Sequence, residues 1–192
     1  MSFDPKQIDE FRIVLDAVGQ KHLRQAGPMV PAAWSITPER EQQLNLLGKP
    51  IPSPVEGYLL LDTGAAHISI DTDVAGELGI TPMGNKREVH GFGGGGEVDH
   101  YLAALILPVT PLKGGKPLGG TFGFRSPVEA WASKDIRSNH LNWGYTLPNG
   151  NPLNVIGILG RIILQFTRFS YNGLVGALEI YIDKSIMSPR RD

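Results

Sequence analysis

Leu59-Leu60-Leu61-Asp62-Thr63-Gly64-Ala65-Ala66-His67-Ile68-Ser69-Ile70 drives an apolar run straight into an acid. The leucines, with the residues from Val55 onward, predict a buried strand over 55–61. Gly64 breaks that strand and permits a tight turn. Asp62 is therefore delivered at the end of an apolar strand, where a carboxylate is costly unless something pairs it or uses it. Ile68 and Ile70 alternate with Ser69 and lead out of the turn as a second extended run. The plain structural alternative is a loop aspartate closing an Asx-turn.

Two other stretches stand in a fixed order relative to this one. Residues 86–92 and 97–107 read as strands joined by Gly93, Gly94, Gly95 and Gly96, which predicts a β-hairpin with a glycine tip behind Phe92. The flanks are strand and strand, and no Gly-Lys-Ser/Thr follows, so a phosphate-cradling loop fits poorly. Farther on, Val155-Ile156-Gly157-Ile158-Leu159 is apolar, Gly160-Arg161 interrupts it, and Ile162, Ile163, Leu164 and Phe166 predict a short buried helix.

Asp-Thr-Gly after an apolar strand, a glycine-rich hairpin, and Ile158-Leu159-Gly160-Arg161 before a helix resemble, in that order, the retropepsin-like aspartic proteases. This is the family of the retroviral proteases and their single-domain cellular relatives. The resemblance spans residues 55–182. It implies an all-β acid-protease barrel with a few short helices. It implies that Asp62 is catalytic, with Thr63 hydrogen-bonding across the active site and Gly64 bringing backbone N–H groups near the carboxylate. Ala65, Ala66, Phe92 and Gly93 to Gly96 would bind substrate, the hairpin acting as a flap, and Gly160 and Arg161 would support the loop from behind. Two positions depart from the family pattern. Ala66 stands where retroviral enzymes often carry an acid that pairs with the arginine matching Arg161. Ile162 stands where an aspartate or asparagine is common.

The chemistry implied is hydrolysis of peptide bonds in a protein or peptide substrate by a water held between two carboxylates. The chain contains one Asp-Thr-Gly and no Asp-Ser-Gly, so the second carboxylate would come from a second copy across a two-fold axis, making a homodimer. The apolar strands expected between Phe169 and Ile182 would suit such an interface. No cofactor or metal is implied. The alternative is a catalytically silent dimerisation or peptide-binding module on the same fold.

The remaining sequence frames these motifs. Residues 1–26 are expected to be an added helix, with Asp4 as cap, Pro5 in the first turn and Ile8, Phe11, Val14, Leu15 and Val18 at helical spacing. Residues 27–184 form the protease-like domain, and 185–192 a tail. Within the domain, 28–36 reads as extended, with Pro31 confining it to an edge or irregular position. Thr37, Pro38 and Gly48 punctuate a short helix, and a second, capped by Asp71, Thr72 or Asp73, ends near Gly79. Residues 121–124 and 128–132 read as short strands, 133–153 as a surface loop, and 169–182 as a hairpin around Asn172-Gly173.

At 192 residues with 41% apolar composition the chain suits one domain, and 24 glycines with 15 prolines favour strands and turns over long helices. A net charge of −1 makes no electrostatic case for nucleic acid or an acidic membrane surface. The absence of cysteine excludes thiol catalysis and thiolate metal sites. Asp4, Asp9, Glu10 and Asp16 crowd the first residues, and no run approaches membrane-spanning length, so the expectation is a soluble cytoplasmic protein. His22, His67, His90, His100 and His140 form no metal-binding spacing, and surface or structural roles are expected. Of these, His67 and His90 lie nearest the loop and the flap. Trp34, Trp131 and Trp143 are read as packing residues.

Overall fold

Short apolar and alternating runs broken by glycine and proline suit strands, and the computed structural model is built mostly of them. It describes residues 5–15, 21–91, 94–142, 144–147 and 149–187. In chain order these form β1 (Glu10–Leu15), α1 (Lys21–Ala26), β2 (Met29–Ser35), α2 (Pro38–Leu46), β3 (Val55–Leu61), β4 (Ser69–Asp71), α3 (Thr72–Glu77), β5 (Arg87–Gly91) and β6 (Gly94–Val98). There follow β7 (His100–Lys113), β8 (Lys116–Pro117), β9 (Phe122–Ser133), α4 (Ile136–Asn142), β10 (Val155–Leu159), α5 (Arg161–Leu164), β11 (Thr167–Asn172) and β12 (Ala177–Asp183).

Six strands close into a barrel in the order β7-β2-β3-β10-β4-β9, with β9 returning to β7. The long β7 serves two layers. Its residues 104–106 pair with β2, and residues 110–112 leave the barrel to pair with β1, which continues the sheet through β12 to β11. Gly114 and Gly115 have φ of 55° and 73°, the backbone that a two-residue turn from β7 into β8 requires. Trp34, Leu59, Ile70 and Ile156 fill the barrel with no more than a trace of exposure, each contributing about 1.5–3 kcal/mol by burial. The Trp34 indole N–H donates to the Ile156 carbonyl at 3.2 Å, so the ring is buried without an orphaned donor.

The decisive feature is the placement of β10. It lies between β3 and β4, parallel to β3 and antiparallel to β4. Strands β3 and β10 run the same way, so the turns that follow them, 62–66 and 160–162, emerge side by side at one end of the barrel.

Several local expectations hold. Thr37 caps α2, its hydroxyl accepting from the Arg40 N–H, and Asp71 caps α3 through the Asp73 N–H at 2.9 Å. Pro31 pairs with Tyr58 of β3, while β7 reaches β2 only at residues 33–35, so the proline lacks a strand on its second side.

Others are corrected. The helix expected over residues 1–26 is realised only as a 3-10 turn, Pro5–Gln7, and as α1, while Glu10–Leu15 is a strand between β12 and β7. Phe11 and Ile13 satisfy a period of two as well as their neighbours satisfy a helical one, and the six-residue ladder to β12 decides between them. Asp4 and Val18 lie outside the described residues. The glycine run is not simply a tip. Gly94 pairs with Gly91, Gly95 with His90 and Gly96 with Val89, so these three glycines are strand, and Phe92 and Gly93 lie outside the described residues. The strands expected at 121–124 and 128–132 fuse into β9, since Pro127 is accommodated opposite Ala104. The loop expected over 133–153 contains α4, and the start of the expected tail lies in a 3-10 turn, Lys184–Met187. Residues 188–192 and Trp143 lie outside the described residues.

Among the described residues no helix is long and apolar enough to cross a membrane.

Candidate active site

Asp62 follows the last residue of β3 and is half-buried at the barrel's end. Its backbone N–H donates to the Leu159 carbonyl at 3.2 Å, extending the β3–β10 pairing by one bond. Its side chain turns back on the chain, Oδ1 accepting the Gly64 N–H at 2.8 Å, and the Asp62 carbonyl accepts the Ala65 N–H at 3.3 Å. Among the described residues the carboxylate makes no salt bridge, and the Gly64 backbone N–H is bonded to it.

The second turn clamps the first. The Arg161 N–H donates to the Ala65 carbonyl at 2.9 Å and the Ile162 N–H to the Ala66 carbonyl at 3.1 Å. The Arg161 guanidinium donates to the Thr63 and Gly64 carbonyls at 3.2 and 3.3 Å. The arginine therefore needs no acid at Ala66. Two backbone carbonyls of the same loop receive its N–H groups. Gly160 makes the approach possible, because a Cβ there would strike the His67 carbonyl and lie 2.8 Å from the Ala65 carbonyl oxygen. Sequence reasoning thus placed Asp62, Thr63, Gly64, Ala65, Ala66, Gly160 and Arg161 in one small neighbourhood, and the structure brings all seven together.

Among the described residues, Gly95 and Gly96 do not line the cleft beside the loop. That cleft, about 430 Å³, is walled by His67 from the loop, Ile162 from α5, Glu129 and Trp131 from β9, and Arg87 and Glu88 at the base of β5. It adjoins the Asp62 turn through His67 and Ile162, but Asp62 is not one of its lining residues. His67 stacks on Trp131 with ring centroids 3.6 Å apart and planes 12° apart. Burial in this stack holds the imidazole below its ordinary pKa, against the attraction of Glu129. Arg87 Nε and His100 Nε2 both stand 3.6 Å from Glu129 Oε1.

Trp131, Glu129 and Arg87 had no local signal. They come from two elements separated by about forty residues and meet only through the barrel. Of the other histidines, His100 is buried against Glu129 and His90 is exposed, 3.6 Å from Glu88, while the side chains of His22 and His140 lie outside the described residues. Among the described residues no three His, Asp or Glu side chains converge as a metal site. Comparison with known proteins found no matching family model, no matching curated protein and no matching solved structure.

Proposed function

We propose that this chain is a retropepsin-like aspartic endopeptidase, acting as a homodimer in the cytoplasm. The observation that carries the reading is the Asp62 turn itself, a half-buried carboxylate without a cationic partner among the described residues, held at a barrel end by the Gly160-Arg161 turn beneath it. An aspartate with a purely structural role closes its turn and needs nothing more. Here eight residues on two segments are arranged to fix its position, which suits a group that must meet another within hydrogen-bonding distance.

In the dimer, Asp62 of each copy faces the other across the axis, and the two carboxylates share one proton, as is established for aspartic proteases as a class. The ionised carboxylate takes a proton from the water as its oxygen attacks the scissile carbonyl, and the protonated one donates to the carbonyl oxygen. The tetrahedral gem-diol then collapses. The C–N bond breaks as the amine nitrogen takes a proton from the dyad, while a gem-diol hydroxyl gives its proton to the other carboxylate and becomes the carbonyl of the acid product, which restores the shared proton. The substrate lies extended, pairing its backbone with the loop and the hairpin.

The surface available for a second copy is more restricted than the sequence suggested. Strand β12 is paired on both sides, by β1 and β11, whereas β11 ends the sheet with Phe169 39% exposed. An open strand edge is a ready template for pairing. The test is incubation of the full chain with a mixed peptide library at acidic and neutral pH. Wild type should cleave and Asp62→Asn should not, and excess Asp62→Asn chain should suppress wild-type activity through mixed dimers. Equal cleavage by both proteins removes the assignment. Peptide binding without cleavage by wild type selects the silent binding module instead.

A further inference from the structure

The cleft beside the Asp62 turn has a composition that selects among side chains. Its apolar surface comes from Trp131, stacked against His67, and from Ile162 on the facing turn. Its charges largely cancel, since Arg87 and Glu129 oppose each other at 3.6 Å and leave Glu88 on the rim. A volume of about 430 Å³ falls within the range of roughly 300–1,000 Å³ typical of ligand pockets, which are mostly apolar with a few polar groups for orientation. The inner wall cannot drift from the candidate dyad, because Ile162 is hydrogen-bonded to Ala66 and Gly160 is wedged under His67.

From this geometry we infer that the cleft walled by His67, Trp131 and Ile162 is a specificity subsite for an aromatic side chain of a peptide bound along the Asp62 turn. Rings favour edge-to-face or offset contact with other rings beyond their area of burial, and the stacked pair offers ring surface that an aliphatic chain cannot exploit equally. A charged side chain gains little. An acid is repelled by Glu88 and Glu129, while a base finds Glu129 already paired with Arg87 and only the exposed Glu88 left to meet it. A phenolic or indole donor, by contrast, finds carboxylate acceptors at the rim. The peptide nature of the ligand rests on the proposed function, whereas the aromatic preference rests on the cleft.

The experiment uses full-length Asp62→Asn protein, so that nothing is cleaved, and blocked hexapeptides identical except for Phe, Tyr, Leu, Arg or Glu at one position. Binding is followed by NMR through the Ile162 methyl and His67 ring resonances, which detects millimolar affinities. The Phe and Tyr peptides should bind about threefold to tenfold more tightly than the others. Adding Trp131→Leu should abolish that preference while Trp131→Phe preserves it, and circular dichroism should show both variants folded. If Trp131→Leu does not fold, His67→Ala, read through the Trp131 indole N–H, serves the same purpose. A preference for Arg or Leu, an aromatic preference that survives loss of the ring, or no perturbation of these resonances by any peptide overturns the subsite. Aromatic selectivity without cleavage by wild type leaves the subsite standing and removes the peptidase reading. Cleavage by wild type with no aromatic selectivity does the reverse.

Discussion

The Asp62 turn and the β5–β6 hairpin both border the cleft, yet they are held in opposite ways. The turn is bonded to the barrel at nearly every residue, through Leu159, Arg161 and Ile162, and its arginine clamp donates only to backbone carbonyls. The hairpin forms a two-stranded sheet of its own, joined to no barrel strand by a ladder, with Lys86 to Glu88 and Gly95 to Glu97 exposed. Its side-chain tie to the barrel among the described residues is the Arg87–Glu129 pair at 3.6 Å, half open to solvent. A group that must hold a reacting atom in place benefits from many short bonds, whereas a cover that must admit a substrate cannot be fastened so firmly.

The most severe way to break this contrast is at the carboxylate. Asp62→Asn should lower peptidase turnover by about 10²–10⁴-fold or more while leaving the melting temperature almost unchanged, since the amide oxygen can still accept the Gly64 N–H. Comparable turnover would place the chemistry elsewhere. Gly160→Ala attacks the clamp instead. Its added methyl meets two backbone carbonyls that cannot move aside, so it should cost about 1–3 kcal/mol of stability and most of the activity. An unchanged thermal transition would show that the two turns are not tightly packed.

On the hairpin side, proline at both Gly94 and Gly95 fixes backbone that now pairs with β5. Turnover should fall on the order of tenfold with little loss of global stability, because the glycines carry no core. Identical kinetics would deny the hairpin any role as a lid. Arg87→Ala is milder. A half-exposed pair contributes well under about 1 kcal/mol, so amide exchange over β5 and β6 should quicken a few-fold while the amides of residues 62–66 stay as protected as before. Equal acceleration in both segments would erase the contrast.

The smallest effect concerns pH. The folded pKa of His67 lies below the ordinary value near 6.5, so between these two values the unfolded chain binds this proton more readily. Stability from the neutral stack is present at pH 7 and is lost as pH falls through the unfolded pKa toward the folded one. Thermal melts of His67→Gln should lack this component of acid sensitivity. A profile parallel to that of wild type would show that the imidazole does not titrate differently in the fold.

Much of this was legible in single stretches. The strand into Asp62, the turn at Gly64 and the caps at Thr37 and Asp71 depend on neighbours within a few residues. The partnership of Gly160 and Arg161 with the loop was legible only through resemblance, since nothing local says which turn lies under which. Helix α4 left no strong periodic trace because long-range bonds hold it. Its Arg137 N–H donates to Asp71 Oδ2 at 2.9 Å, and the Arg137 side chain reaches Glu77 and Asn154.

By itself the sequence determined the strand character of the chain and the position of one carboxylate at a strand's end, because alternation, capping and turn chemistry act over one to four residues. Only the tertiary structure decided that Glu10–Leu15 is strand, that Gly94, Gly95 and Gly96 pair with β5, and that His67, Trp131 and Ile162 share a cleft. In each case the deciding partner lies distant in the chain or across a strand ladder. A residue pattern compatible with two local states takes the one whose hydrogen bonds and buried surface a neighbouring strand completes.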